Sequence, residues 1–445
     1  MTRASHDQPI QQSTVDDDPF ADRVDLELAQ LTSEVHKRNP TIQAMLATWR
    51  AAAQRYPQAI AFDDPMVGFM LGPASLGSND VNFGWMVEGS QKVPWPGKRH
   101  WRGQVAQAAA EASYQDIEAA RLKLAEMATM AYLEYYVATR EMDLNSQNVE
   151  KLRAILESAK NFYKDNKVGR SDVSDVEIQL QLLDGRQVEL ARMSKVAVAR
   201  INTLLHRVPD HPLPPAPANL PVEKPLPSVG SLRRLALDRR PDLAALSAQI
   251  RAEEAEVELR SKEFYPDLEF VARYDGFWQG ADRDLAPQIG MNLNLPIQKE
   301  RRRAAVEEAI QNVARRRAEY LERVDEIQEA VQTTAERLEE ARAAIERYAG
   351  RPDGIIAKAE RSAESAQLSY QSAASDFLRL IDSQRQLIGY RDKLVEAEAE
   401  YHRRLAELER AIGGPVPATY EFDDRHGSTG HPGQWRSVAD GPALR

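Results

Sequence analysis

The sequence predicts a mainly α-helical chain with a membrane β part, in which one plan of helix, strand, strand, long helix and helix is laid down twice. Three observations predict it. Charged residues make up 28% and hydrophobic residues 42% of the 445, and many of the latter are alanine; this is the composition of extended helices and coiled coils. Between Gly103 and Gly169 there is neither proline nor glycine, so no breaker interrupts a helix there. Ahead of that run lies "VNFGWMVEGSQKVPWPGKRHW", 81 to 101. Here Val81, Phe83, Trp85 and Val87 alternate with Asn82, Gly84, Met86 and Glu88, and then Pro94, Trp95, Pro96 and Gly97 break the chain. A period of two is a strand with one apolar face.

Taken in order, residues 1–24 form a polar leader and 25–208 the first repeat. Its opening helical stretch ends near Tyr56-Pro57. Two extended segments, about 59–71 and 81–91, lie on either side of the turn-forming "GPASLGSND". The long helix runs to about 166, reverses through a tip at about 166–175 ("NKVGRSD") and returns to about 206. "RVPDHPLPPAPANLPVEKPLPS" makes residues 209–230 a semi-rigid, proline-rich linker.

The second repeat, 231–412, keeps the same order. A helix reaches Phe264, and Tyr265-Pro266 stands where Tyr56-Pro57 stood. Strands follow at about 267–277 and 287–295, the latter with Ile289, Met291, Leu293 and Leu295 alternating with Gln288, Gly290, Asn292 and Asn294. Pro296 opens a charged helix, and a second tip falls at about 370–376. Pro94 to Asp175 and Pro296 to Asp376 each span about 80 residues, as a structural duplication requires. Val306, Ile310, Val313, Tyr320, Val324, Ile327, Val331, Leu338, Ala341, Ile345 and Tyr348 recur at steps of three and four, interrupted at Arg317 and Thr334, a coiled-coil seam. Seventy such residues would reach roughly 105 Å. "GRPDG", 350–354, should break this second long helix, and 413–445 read as a polar tail expected to be disordered.

Several classes are excluded. A formal net charge of -10 lacks the concentrated basic face of a nucleic-acid binder. With no cysteine there are no disulfides, thiolate metal sites or cysteine nucleophiles. No run approaches the apolar length of a transmembrane helix, and the start lacks the apolar core of a secretory signal; a processed or truncated start is the expectation. No HExxH, histidine pair at ligand spacing or phosphate-binding glycine loop occurs. No enzyme activity, cofactor or metal site is expected, and any energy must come from a partner.

The strands have the length and alternation of membrane β-strands, with Phe83, Trp85, Phe277 and Trp278 at or near them. Inside lipid every backbone N–H and C=O must be paired, so only a closed barrel serves. Four strands cannot close one, since about eight is the smallest useful number; several copies must therefore share a barrel. Helices leaving it in parallel would continue as a tube, and the prolines mark the junction.

At this point the chain resembles the TolC-like outer-membrane efflux family over about residues 25 to 412. "VPWPGKR" resembles the strand-to-helix exit of its heavy-metal and cation branch. "NKVGRSDVSDV" resembles the first helical tip, with Val168, Gly169 and Asp175 in the expected places. "YQSAASDFLRLIDSQRQL" resembles the second, with Asp382 and Gln384 matching; Ala373 replaces a frequent glycine and Arg379 a frequent acid. The resemblance implies a homotrimer whose 12-stranded β-barrel in the cell outer membrane is continuous with an α-helical tunnel in the periplasm. It implies a passive duct, a periplasmic adaptor protein, and an inner-membrane pump of RND or ABC type. An outer-membrane duct for type I protein secretion and a soluble coiled-coil scaffold are the alternatives.

The expected sites follow. Asp382 and Arg379, three apart on one helix face, should join Asp175 at the tunnel entrance as a charged, gating ring. Val168, Gly169, Arg170 and Ser171 on the first tip, with Ala373, Ala374 and Ser375 on the second, should dock the adaptor. Trp85 and Trp95 should mark the membrane interface. Basic clusters including Lys98, Arg99, Arg301 and Arg302 follow each strand pair; because cations oppose the dipole of a helix start, anionic outer-membrane lipid headgroups are expected to hold them.

Overall fold

The computed structural model describes residues 19–20, 23–73, 84–165, 169–221, 226–275, 287–350, 352–371 and 377–417. Among these residues ten helices and four strands run in the order α1 (Leu28–Arg38), α2 (Pro40–Ala53), α3 (Arg55–Ile60), β1 (Met66–Leu71), β2 (Trp85–Val93), α4 (Lys98–Lys164), α5 (Arg170–Leu204), α6 (Val229–Arg239), α7 (Pro241–Lys262), β3 (Leu268–Asp275), β4 (Pro287–Leu293), α8 (Lys299–Ala349), α9 (Ile355–Gln371) and α10 (Phe377–Ile412). Phe83, Phe277 and Trp278, both inter-strand loops for the most part, and the tail from 418 lie outside the described residues.

Prolines set the helix ends, and they do so in duplicate. The sequence reading runs one helix through each opening stretch, whereas the structure breaks both. Asn39 and Arg240 are extended (φ -66, ψ 125 and φ -68, ψ 121), and Pro40 and Pro241 begin the next helices. A residue before proline is driven out of the helical region, and proline suits the first helical turn. Pro57 and Pro266 act four residues upstream. Lacking an N–H, neither can bond the carbonyl at i−4, and α2 ends at Ala53 and α7 at Lys262. The chain past Ala53 resumes as α3, so the first extended segment begins at Met66 and not at 59. The linker likewise gives way to α6 at Val229, and β4 stops at Leu293.

The long helices form two tiers. Near the strands α4 packs on α2, α3 and α7, and α7 on α8; toward the tips α4 lies between α5 and α10, and α10 lies against α8 and α9. With 67 residues, α4 is roughly 100 Å long. Its counterpart is interrupted between Ala349 and Ile355, where "GRPDG" falls. Gly103 allows α3 to lie close on α4, since a Cβ there would meet Ile60 Cγ2 at 2.7 Å.

Among the described residues four apolar clusters hold this frame, the smallest joining α4 to α10 around Tyr136 and Val395. One joins α1 and α2 to the middle of α4 and the end of α5, around Leu31, Val35, Leu133 and Ile201. Its duplicate joins α6 and α7 to α8 and α10, around Leu232, Leu243, Val331, Leu338 and Tyr401. The third gathers both tips around Ile155, Val176, Tyr370 and Leu380. Between them Arg186 of α5 bridges Asp392 of α10 at 2.6 Å and Glu141 of α4 at 3.2 Å, tying three helices at one level. Among the described residues no helix is long and apolar enough to cross a membrane.

The strands form one antiparallel meander, β1-β2-β3-β4, with the two repeats joined through β2 and β3.

Candidate functional site

Strand register sorts the side chains onto two faces. Because partners in register share a face, one face carries Val67, Phe69 and Leu71, then Trp85, Val87, Gly89, Gln91 and Val93, then Leu268, Phe270, Ala272 and Tyr274, then Pro287, Ile289, Met291 and Leu293. Gln91 is the one amide or charge among them. The face is open: Ile289 is 88% exposed, Val67 81% and Phe69 64%. A continuous apolar sheet face of this kind needs a partner other than water. The opposite face carries Glu88, Ser90, Lys92, Glu269, Arg273, Gln288 and Asn292, with Arg273 Nε donating to Glu88 Oε2 at 3.1 Å.

Aromatics bracket the apolar face. Trp85 lies against Tyr274 at one end, ring centroids 5.6 Å apart. At the other, just past β2, Trp95 stacks on Tyr265 with centroids 5.1 Å apart and planes 11° from parallel. The nine residues of β2 span roughly 30 Å along the strand, or roughly 23 Å in height at a tilt of about 40°. The apolar band of a membrane barrel, with its flanking aromatic girdles, is about 25 Å tall.

The junction below the second girdle is a built polar site. Gly97, at φ 95, takes the left-handed turn that launches α4. Lys98 is buried, 4% exposed, and its Nζ donates to Asp267 Oδ1 at 2.8 Å and to the Tyr265 carbonyl at 3.0 Å. The Trp95 N–H donates to the same carboxylate oxygen at 2.9 Å, and the Asp267 N–H to Asn294 Oδ1 at 2.5 Å. Burial pushes the Asp267 carboxyl up, but the bonds from Lys98 and Trp95 and the charges of Lys98 and Lys92 outweigh it, and its pKa lies below the usual range. One carboxylate thus fastens the first repeat's helix start to the second repeat's strand start.

The same geometry gives the basic clusters partners within the chain. Arg99 Nε donates to the Ile60 carbonyl at 2.7 Å, its guanidinium 3.6 Å from the Phe62 ring. Arg302 Nε donates to the Glu263 carbonyl at 2.8 Å. Ile60 is the last residue of α3 and Glu263 the C-cap just past α7, so each arginine bonds a carbonyl at the negative end of the preceding helix. The cations that oppose the dipole of their own helix are held by that of another, and Lys98, Arg99 and Arg302 spend these donors internally. Arg301 is exposed.

The tips lie side by side, with Phe162 of α4 edge-on to Tyr370 of α9 at 5.4 Å. Gly169 is extended (φ -80, ψ 161) ahead of Arg170, the first residue of α5, and the Ser171 hydroxyl lies 3.2 Å from Asp172 Oδ1. Val168, Ala373, Ala374 and Ser375 lie outside the described residues. Asp175, Arg379 and Asp382 are exposed at this end, beside the buried Val176, Leu380 and Ile381 of the tip cluster. Asp382 faces Arg385 at 3.5 Å and not Arg379. Among the described residues no group of three or more acids and histidines could hold a metal ion.

Asp267, Tyr265, Arg273 and Arg186 are absent from the sequence reading's site residues. Asp267 had a signal, since it follows the Tyr-Pro pair at a strand start. Arg186 had none, because its partners lie 45 and 206 positions away.

An amphipathic four-stranded ribbon on a bundle of very long helices defines the fold class. The sequence profile described as "Outer membrane efflux protein" matches residues 232–414, the second repeat. The outer-membrane channel OprN is 19% identical, over 87% of this chain and 90% of that one, with a TM-score of 0.71. The outer membrane protein VceC from Vibrio cholerae is 17% identical, over 88% and 97%, with a TM-score of 0.71. CusC, described for its transmembrane channel formation, is 14% identical over 88% and 93%, with a TM-score of 0.72. No curated protein matches by sequence. The second repeat thus matches the outer membrane efflux protein profile, and the chain as a whole shares the fold of these outer-membrane channels.

Proposed function

We propose that this chain is the outer-membrane exit duct of a tripartite efflux system, a homotrimer that passively carries small molecules or metal cations delivered by an inner-membrane pump through a periplasmic adaptor. The observation that carries the reading is the ribbon, with one continuous apolar face and two open edges, β1 and β4. Raw edges are intolerable in lipid, and three copies joining β4 of one to β1 of the next close a 12-stranded barrel. The helices beneath then stand as a tunnel wall, the tips meet the adaptor, and Arg301 faces the inner leaflet's phosphates. The apolar face weighs against a soluble scaffold.

Cysteine pairing tests the closure, because the chain has no cysteine of its own. Within one copy β1 and β4 are three strand spacings apart, about 14 Å, beyond the reach of a disulfide. Val67→Cys combined in turn with Pro287→Cys, Ile289→Cys and Met291→Cys is expected to give oxidised dimers and trimers on denaturing gels for one register. Monomer throughout would overturn the shared barrel. At the tips, Asp382→Ala is expected to lower cation preference in single-channel recordings if Asp382 contributes to an entrance ring; unchanged conductance and selectivity would remove that role.

A further inference from the structure

We infer that the barrel wall between the periplasmic junction and mid-membrane is charge-compensated, so that this part of the duct does not select cargo by charge sign, and that Glu88, Arg273, Lys92 and Glu269 set this property. The inference rests on the exit-duct reading, which turns the polar face of the sheet toward the lumen.

Register lays that face out in rows. Nearest the junction, Lys92 of β2 pairs with Glu269 of β3, which pairs with Asn292 of β4; Asn292 Nδ2 donates to Glu269 Oε2 at 3.3 Å. The next row is Met66, Ser90, Val271 and Gly290, without charge. Above it stand Gly68, Glu88, Arg273 and Gln288, with the Arg273 guanidinium against Glu88 Oε2 at 3.1 Å. Asp275, in register with Met86, lies beyond this stretch.

Within the paired strands each charged row therefore holds one acid and one base on directly opposed positions, which is the favourable cross-strand arrangement, while Asp63 and Asp64 precede β1 outside the pairing. Threefold repetition multiplies zero. The two rows are four residues apart on β2, about 13 Å along the strand. That exceeds the screening length of about 8 Å in physiological salt, so the rows act separately and each must be neutral by itself. A cation or anion passing through meets paired charges at both heights. Cargo that suits such a wall is neutral, zwitterionic or of either sign, and any sign preference must arise elsewhere, as at the tips.

The test is the reversal potential of purified trimers in planar bilayers under a KCl gradient. Arg273→Glu leaves two acids per copy in its row, and Glu88→Arg leaves two bases. The first is expected to raise the K+ to Cl− permeability ratio roughly threefold and the second to lower it by a similar factor. The exchange variant carrying both is expected to return to the parental value. A second readout needs no change in the charged rows: Ser90→Cys, between them, should react with cationic and anionic thiosulfonates at rates within about threefold of each other. Trimers of both single variants that conduct with the parental reversal potential would overturn the inference, as would a tenfold preference of Ser90→Cys for one sign. A parent chain that forms no conducting trimers would instead overturn the duct reading, and this inference with it.

Discussion

Replacing Lys98 with methionine is expected to lower the unfolding free energy in detergent by about 3–5 kcal/mol, the cost of leaving one member of a buried ion pair alone. Lys98 and Asp267 are only 5% and 16% exposed at their side chains, so solvent cannot replace the missing ammonium. The double variant Lys98→Met with Asp267→Asn should recover most of the loss, because the amide oxygen still accepts the Trp95 N–H and no charge is stranded. The pH dependence has a definite sign. The folded Asp267 pKa lies below its ordinary value, so the pair's stabilisation is complete above the unfolded carboxyl pKa near 3.9 and is lost as pH falls through the folded value. The gap between parent and single variant should therefore be constant from about pH 6 to 8. It should close on acidification, first as the stranded carboxyl of the variant protonates and then as the parent loses the pair below about pH 4. Urea titrations of parent, single and double variants at these pH values measure both effects. A single variant as stable as the parent at pH 7 would show that the junction is held by the helix packing around it.

The features legible in the sequence are those written in local periodicity. The apolar faces of β2 and β4 follow from alternation at Trp85, Val87, Ile289 and Met291, and the break after Ala349 follows from glycine and proline together. The breaks at Asn39 and Arg240 were equally present, as a residue committed to extended backbone ahead of a proline. They are obscured in a reading that lets a long alanine-rich pattern override its punctuation. The internal partners of the basic clusters were illegible for a different reason. Sequence shows that Arg99 and Arg302 oppose the dipole of their own helices, but not that the carbonyl ends of α3 and α7 lie within reach, because a backbone acceptor has no residue code. Long-range polar pairs such as Arg186 with Asp392 are invisible for the same reason that they matter: they join elements brought together only by the fold. The tip readings stay local and so remain proposals, resting on exposed Asp175, Arg379 and Asp382 and on a turn that the duplicated plan puts at matched distance from the strands.

A single charge on the outer face of the ribbon is expected to abolish membrane assembly, while the same charge one residue away is tolerated. Ile289 lies in the middle row of the apolar face, with Val67, Gly89 and Ala272, and is 88% exposed; Gln288 precedes it on β4 and points to the polar face. Arginine on the lipid side of a barrel at mid-membrane costs about 2–4 kcal/mol per copy, and a threefold assembly incurs it three times. That total is a large share of the stability an ordinary protein has to lose. Ile289→Arg should therefore leave little or no trimer resistant to urea extraction from liposomes, whereas Gln288→Arg should insert like the parent, its guanidinium facing water. Both variants place the same arginine and the same added charge on one edge strand, a single position apart. They differ in the face that receives it, which the period of two assigns. If both variants insert equally well, the apolar face does not meet lipid and the ribbon must be covered by protein. If Gln288→Arg alone fails, the sheet is turned the other way, and the apolar residues line the interior.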